Sequence, residues 1–195
     1  MPRVRADDYE DKKNSILDAA ARLFGESGYF GCKMQDIARE CDVSKSMLYH
    51  YFARKEDVLF EILRQHLERI RDSLADLDGN VVGKNQDAYF RRFVETYLEK
   101  SNVSRASHVV ALDDRRYLTD EQKVKIKKLE REILDVFSKL LRKINNGYTE
   151  AEYRSHALLL MGMINWVELW YRRTGKISPH SLYGTITKLF LHGFA

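Results

Sequence analysis

A chain of 195 residues, 44% hydrophobic and 32% charged, is long enough for one large globular domain or a small domain joined to a larger one. Ten glycines and two prolines are too few for a turn-rich all-β protein, and a net charge of +4 is too small to establish a nucleic-acid partner. The first 60 residues carry 10 basic and 11 acidic side chains, so any argument from charge must be local.

The charged N-terminus, MPRVRADDYEDKK, lacks an apolar core segment, and no signal peptide is expected. Ile16, Leu17, Ala20, Leu23 and Phe24 then recur at helical spacing. This first helix is expected to stop at GESGYFG, with Gly28 in the left-handed conformation just past its end. A second, short helix follows, with Met34, Ile37, Ala38 and Cys41 on one side and Cys32 at the expected N-cap. Cys32 and Cys41 fit neither a CxxC motif nor a disulfide framework, and read as reduced thiols in a cytosolic protein. After DVS, Ser44 can cap a third helix from Lys45 to about Phe52.

From Lys55 a longer helix is expected to reach about Leu77, followed by a loop over 78–85. Tyr89, Phe90, Phe93, Val94, Tyr97 and Leu98 mark the next helix, and a short apolar segment, SHVVALDD, comes after it. Thr119-x-x-Gln122 and Thr149-x-x-Glu152 are capping boxes that open two long helices, the second running to about Arg173. Within that second helix, LLLMGMINWVELW (158–170) is too short to span a bilayer and holds Asn165 and Glu168, so it reads as a buried helix. Ser178-Pro179 opens the last helix. The expectation is an all-α protein of about nine helices, with no strand, no internal repeat and no membrane segment.

Two short helices joined by a tight turn and flanked by long ones form a helix-turn-helix arrangement. A helix placed in the major groove needs one apolar face to fix it and another that carries donors and repels no phosphate. Leu48 and Phe52, with Val43 in the turn, suit the first face. Lys45, Ser46, Met47, Tyr49, His50 and Tyr51 suit the second, and residues 43–55 hold three cations and no acid. Lys55 can bring a backbone amide and an ammonium to a phosphate.

The stretch ILDAAARLFGESGYFGCKMQDIARECDVSKSMLYHYFARKEDVLFEIL, 16–63, resembles the TetR family of bacterial transcriptional regulators. The shared pattern is Ala20, Leu23 and Phe24; Gly28-Tyr29; Ile37-Ala38; Val43-Ser44; Leu48-Tyr49-x-Tyr51-Phe52; and Lys55-x-x-Leu59. Where that family usually has a Thr or Ser pair, this chain has Cys32 and Lys33. Where it often has a capping Ser or Asn, this chain has Arg54. The resemblance implies a DNA-binding domain over 1–54 and a regulatory, ligand-binding and dimerisation domain over 55–195, with 55–77 as the linking helix. The implied DNA-contacting set is Lys33, Met34, Gln35, Ser44, Lys45, Ser46, Met47, Tyr49, His50, Tyr51 and Lys55. It also implies a homodimer on a palindromic operator in double-stranded DNA, acting most often as a repressor in the cytoplasm and released by a small effector.

The helix over 152–173 is apolar nearly all round, so it needs cover on two sides. One side can face a partner chain. The residues expected at that interface are Leu160, Trp166, Leu169, Leu182, Ile186, Leu189 and Phe190, with Phe194 also available. Residues 111–133 and 161–175 look similar to TetR-like repressors that respond to acyl-coenzyme A thioesters. Arg115, Arg116, Lys123, Lys125, Lys127, Lys128, Arg131, Arg172 and Arg173 offer cations for such an effector. Phe93, Tyr97, His108, Leu112, Phe137, Met163, Trp166 and Trp170 are the candidate ligand-lining residues.

On the residues alone, two other classes stay open: an enzyme without a recognisable motif, and a helical protein-interaction module. The six histidines stand singly, no HExxH or phosphate-cradling loop occurs, and Asp113-Asp114 reads as capping or solvated surface. Neither a catalytic nor a metal-binding residue is expected.

Overall fold

The computed structural model describes residues 3–79, 85–103, 106, 110, 114–172 and 174–193. These residues form eight α-helices and contain no strand: α1 (Arg3–Gly31), α2 (Met34–Glu40), α3 (Lys45–Tyr51), α4 (Lys55–Ala75), α5 (Gln86–Val103), α6 (Asp120–Ile144), α7 (Glu150–Trp170) and α8 (Pro179–His192). Single 3-10 turns occupy Asp76–Gly79 and Asp114–Tyr117. The fold is all-α as expected. Most of the expected apolar segment before α6 lies outside the described residues, as do Arg173 and Phe194.

The chain packs as two compact units: residues 1–66 with 104–127, and residues 67–103 with 128–195. Helices α4 and α6 each begin in the first unit and continue into the second.

In the first unit the apolar stripe of α1 is buried through Ile16, Leu17, Ala20 and Phe24. Gly28 has φ 70 and ψ 163, a backbone that strains any residue with a Cβ. The first helical run therefore ends there, as its sequence predicts, and a further short turn carries the chain across the kink to Gly31. The cap of α2 is one residue later than expected. Lys33, not Cys32, is the N-cap, and its amide donates to the Asp36 carboxylate at 2.9 Å. Cys32 is buried instead. Both cysteines are free, and burial pushes both thiols up from their ordinary value.

The second unit is built on aromatic packing. Phe93 meets Phe137 edge to face at 4.8 Å, Tyr97 meets Phe137 at 5.5 Å, and Phe90 stacks on Phe190 at 5.4 Å. Thr149 caps α7 as the sequence predicts: its hydroxyl accepts from the Glu152 amide while Glu152 accepts from the Thr149 amide. Thr119 and Gln122 do the same for α6, and Ser178 with Pro179 opens α8. Helix α7 ends at Trp170, short of the expected Arg173. Tyr171 takes an extended backbone and its buried hydroxyl donates to the Ile177 carbonyl. No helix among the described residues is long and apolar enough to cross a membrane.

Candidate nucleic-acid interface

Helix α3 has only seven residues, so it cannot persist on its own propensity and must be held from outside. Its N-terminus is fixed by Ser44, whose Oγ accepts from the Met47 amide at 3.1 Å. Its inner face is fixed by Leu48, which is fully buried, and by Phe52 at the C-cap. With that face committed, Lys45, Ser46, Met47, Tyr49 and His50 are all exposed. The Lys45 ammonium lies 5.9 Å from the Tyr49 ring centre, and the Ser44 and Ser46 hydroxyls are 3.0 Å apart. The result is an outward, acid-free face of hydroxyls, one ammonium and an imidazole, which suits phosphate and base-edge contacts.

Three features beside α3 could not be read from periodicity. The first is the setting of Lys55. Its ammonium donates to the Tyr29 carbonyl at 2.7 Å and the Cys32 carbonyl at 2.9 Å, and sits 4.0 Å over the Tyr29 ring. This is a correction: the Lys55 side chain pins the end of α1 to the start of α4 rather than pointing at phosphate. The second is an aromatic clasp, in which Tyr117 stacks on Tyr29 at 4.7 Å and meets Phe30 edge-on at 4.6 Å. Burial, with Glu56 nearby, pushes the Tyr29 phenol up. Gln122 reinforces this clasp by donating to the Asp57 carboxylate at 2.9 Å, so segment 114–122 is fastened at two points to the helices of its own unit, which also carries α3. The third is Tyr9, whose ring stacks on Tyr51 at 4.6 Å.

Glu61 is the electrostatic centre of the same unit. Hydrogen bonding to Arg64, aided by Lys13 at 2.8 Å, holds its carboxyl at about 2 despite its burial.

Of the other expected DNA-contacting residues, Lys33, Gln35 and Ser44 are exposed and Tyr51 is half-buried. Met34 is a correction, because it faces the core at 9% exposure and cannot reach a base edge.

Residues 16–62 match the family described as "Bacterial regulatory proteins, tetR family", and residues 83–194 match "Tetracyclin repressor-like, C-terminal domain". The chain belongs to the TetR family. It is a DNA-binding transcriptional regulator, and its fold superposes widely on solved TetR structures. A TetR-family regulator from Bordetella parapertussis 12822 shares 30% identity at a TM-score of 0.85, covering 93% of this chain and 95% of that one. The repressor KstR2 from Rhodococcus jostii (strain RHA1) is 26% identical over 200 residues, covering 97% of this chain and 96% of KstR2. AibR, solved with isovaleryl coenzyme A and operator DNA, has the same fold at 22% identity and a TM-score of 0.78, covering 91% of this chain and 97% of AibR.

The regulatory half of this TetR-family chain sorts the remaining candidates. Phe93, Tyr97 and Phe137 are buried together, and the Tyr97 hydroxyl donates to Asn165. Phe93 also lines a cavity of about 80 Å³ with Leu74, Ala75, Tyr89, Val136, Lys139 and Leu140. Met163 is half-buried, and His108 and Leu112 lie outside the described residues. Trp166 and Trp170 do not join this group. They are 65% and 47% exposed, because α7 turns Tyr153, Ala157, Leu160, Ile164 and Val167 inward and leaves Leu158, Leu159, Trp166, Leu169 and Trp170 outside. The same phase corrects the expected interface. Leu160, Leu182 and Ile186 are core residues, and Phe190 packs on Phe90, while Trp166, Leu169 and Leu189 remain exposed. Several α6 cations are already engaged within their own helix: Lys123 with Asp120, Lys125 with Glu121, and Lys128 with Glu132. Among the described residues no group of three or more His, Cys, Asp or Glu forms a metal site.

Proposed function

We propose that this regulator is a repressor that grips a palindromic operator as a homodimer, with α3 of each copy in the major groove, and that a small effector releases it. The observation that carries the reading is the outward, acid-free face of α3, fixed from behind by Leu48 and Phe52 and capped by Ser44. The functional division follows it: residues 1–54 read DNA, residues 55–195 sense and dimerise, and residues 55–77 link them. Dimerisation is favoured by the five large apolar side chains that α7 leaves outside, since a contiguous exposed apolar face of this kind marks an interface. A two-fold pair then presents its reading helices to half-sites about one helical turn apart. We assign no catalytic activity to the chain, and place it in the cytoplasm with its DNA.

The effector class we favour is an acyl-coenzyme A thioester. In support, AibR was solved in complex with isovaleryl coenzyme A and operator DNA, and this chain leaves Arg116, Lys127 and Arg131 exposed. The cavity beside Phe93 is well below the roughly 300 Å³ of ordinary ligand pockets, so an effector entering there has to open it. That requirement suits a switch. To move a mostly DNA-competent population to a mostly incompetent one, the effector must prefer the second state by about 5 kcal/mol. Segment 114–122, clasped to the DNA-binding unit and continuous with α6, is the route we assign to that preference.

The test starts with selection of bound fragments from genomic DNA. A recovered palindrome, bound by two copies of the chain, is expected. Titrating short-chain acyl-coenzyme A thioesters into the complex should release the DNA, and operator should weaken thioester binding by the same factor. Equal thioester affinity with and without operator would exclude that class as the effector. Recovery of no sequence-selective fragment would remove the repressor reading.

A further inference from the structure

We infer that Tyr9, in the N-terminal turns of α1, is a positioning residue that sets the reading end of α3 before DNA arrives. This rests on the groove reading of α3 given above.

Helix α3 ends at Tyr51, and although Leu48 and Phe52 anchor its backbone on either side, the His50 and Tyr51 side chains are not part of that anchored face: His50 is exposed and Tyr51 half-buried. Something outside the helix is needed to hold them. The Tyr9 ring stacks on Tyr51 with centres 4.6 Å apart and planes 26° apart, and meets the His50 ring edge-on at 6.5 Å. His50 and Tyr51 in turn meet edge-on at 5.9 Å. The three rings therefore fix one another, although Tyr9 lies more than 40 positions away in the chain. Tyr9 is itself 38% exposed, so its role is not that of a core residue.

The segment that carries Tyr9 is held in register by polar contacts one turn further along. Lys12 donates to the Cys41 carbonyl at 3.2 Å, at the turn between α2 and α3. Lys13 pairs with Glu61 at 2.8 Å on α4. The start of α1 thus touches α3, the turn before it, and α4. An aromatic stack delivered by so fixed a helix orders Tyr51 and His50 in the free protein. The ordering cost of those side chains is then met before binding, which strengthens binding without any added contact to DNA.

The experiment compares Tyr9→Ala and Tyr9→Phe on the selected operator and on unrelated duplex. Tyr9→Ala should weaken operator binding about three- to tenfold, leave nonspecific binding and the salt slope unchanged, and leave the thermal midpoint within a degree or two of the parent. Tyr9→Phe, which keeps the stack, should bind as the parent does. In a Tyr51→Ala background the Tyr9→Ala effect should shrink to the small part carried by the His50 edge contact, because most of it acts through the stack on Tyr51. A Tyr9→Phe variant as weak as Tyr9→Ala would show that the hydroxyl touches DNA and would overturn the positioning role, as would a Tyr9→Ala effect that persists undiminished without Tyr51. Normal operator binding by Tyr9→Ala would sink this inference alone. Failure of the parent chain to select any operator would sink the groove reading and this inference with it.

Discussion

The two units of the chain solve the problem of stability differently. The unit that carries α3 surrounds its largely aliphatic core with directed polar pins: Lys55 on two carbonyls, Lys12 on another, Glu61 between Lys13 and Arg64, and Gln122 on Asp57. The second unit relies on bulk, with Phe90, Phe93, Phe137 and Leu160 fully buried and an apolar face of α7 left uncovered. Pins set angles and positions, which a groove reader needs. A packed but incompletely filled core tolerates rearrangement, which a sensor needs.

The strongest way to break that contrast is Phe137→Ala. Loss of a fully buried ring contacted by both Phe93 and Tyr97 should cost about 3–5 kcal/mol in denaturant unfolding of the second unit. If the units are held as described, the cost will fall there and the near-ultraviolet signal of the Tyr29–Tyr117 pair will survive to higher denaturant. Next comes Trp166→Glu on the exposed face of α7. It should leave the fold intact, give a monomer in sedimentation, and weaken operator binding about a hundredfold by uncoupling the two half-sites. Lys55→Ala removes two charge-assisted hydrogen bonds and a ring contact, so about 2–3 kcal/mol of stability should go from the first unit. Because its ammonium is committed to carbonyls, the salt slope of nonspecific DNA binding should not change. Lys45→Ala is the smallest effect and the mirror image. Stability should be unaffected, while the salt slope flattens by about one unit as one phosphate contact is lost.

The same contrast explains what could be read in advance. Caps are local, so Ser44, Thr119 with Gln122, Thr149 with Glu152, and Ser178 with Pro179 were legible from three or four neighbouring residues. Stripes with one apolar face were legible too, and α1 buries Ile16, Leu17, Ala20 and Phe24 of the stripe its spacing predicts, with Leu23 half-buried. Helix α7 was not, because a helix apolar all round carries no phase. Only packing decides that Leu160 turns inward and Trp166 outward. The pins were equally hidden. The two Lys55 acceptors are backbone oxygens that leave no trace in residue identity, and Tyr9 meets Tyr51 across a separation no periodicity spans. Met34 was placed rightly by its spacing, on one side with Ile37 and Ala38, and only the resemblance had set it among the DNA-contacting residues.

That Lys55 holds on to main-chain oxygens has its own consequence. Carbonyls cannot take up a proton in acid, so this fastening outlasts the carboxylate pairs around it as pH falls. Nor does it demand any particular side chain at position 32, whose main-chain oxygen is offered whatever the residue.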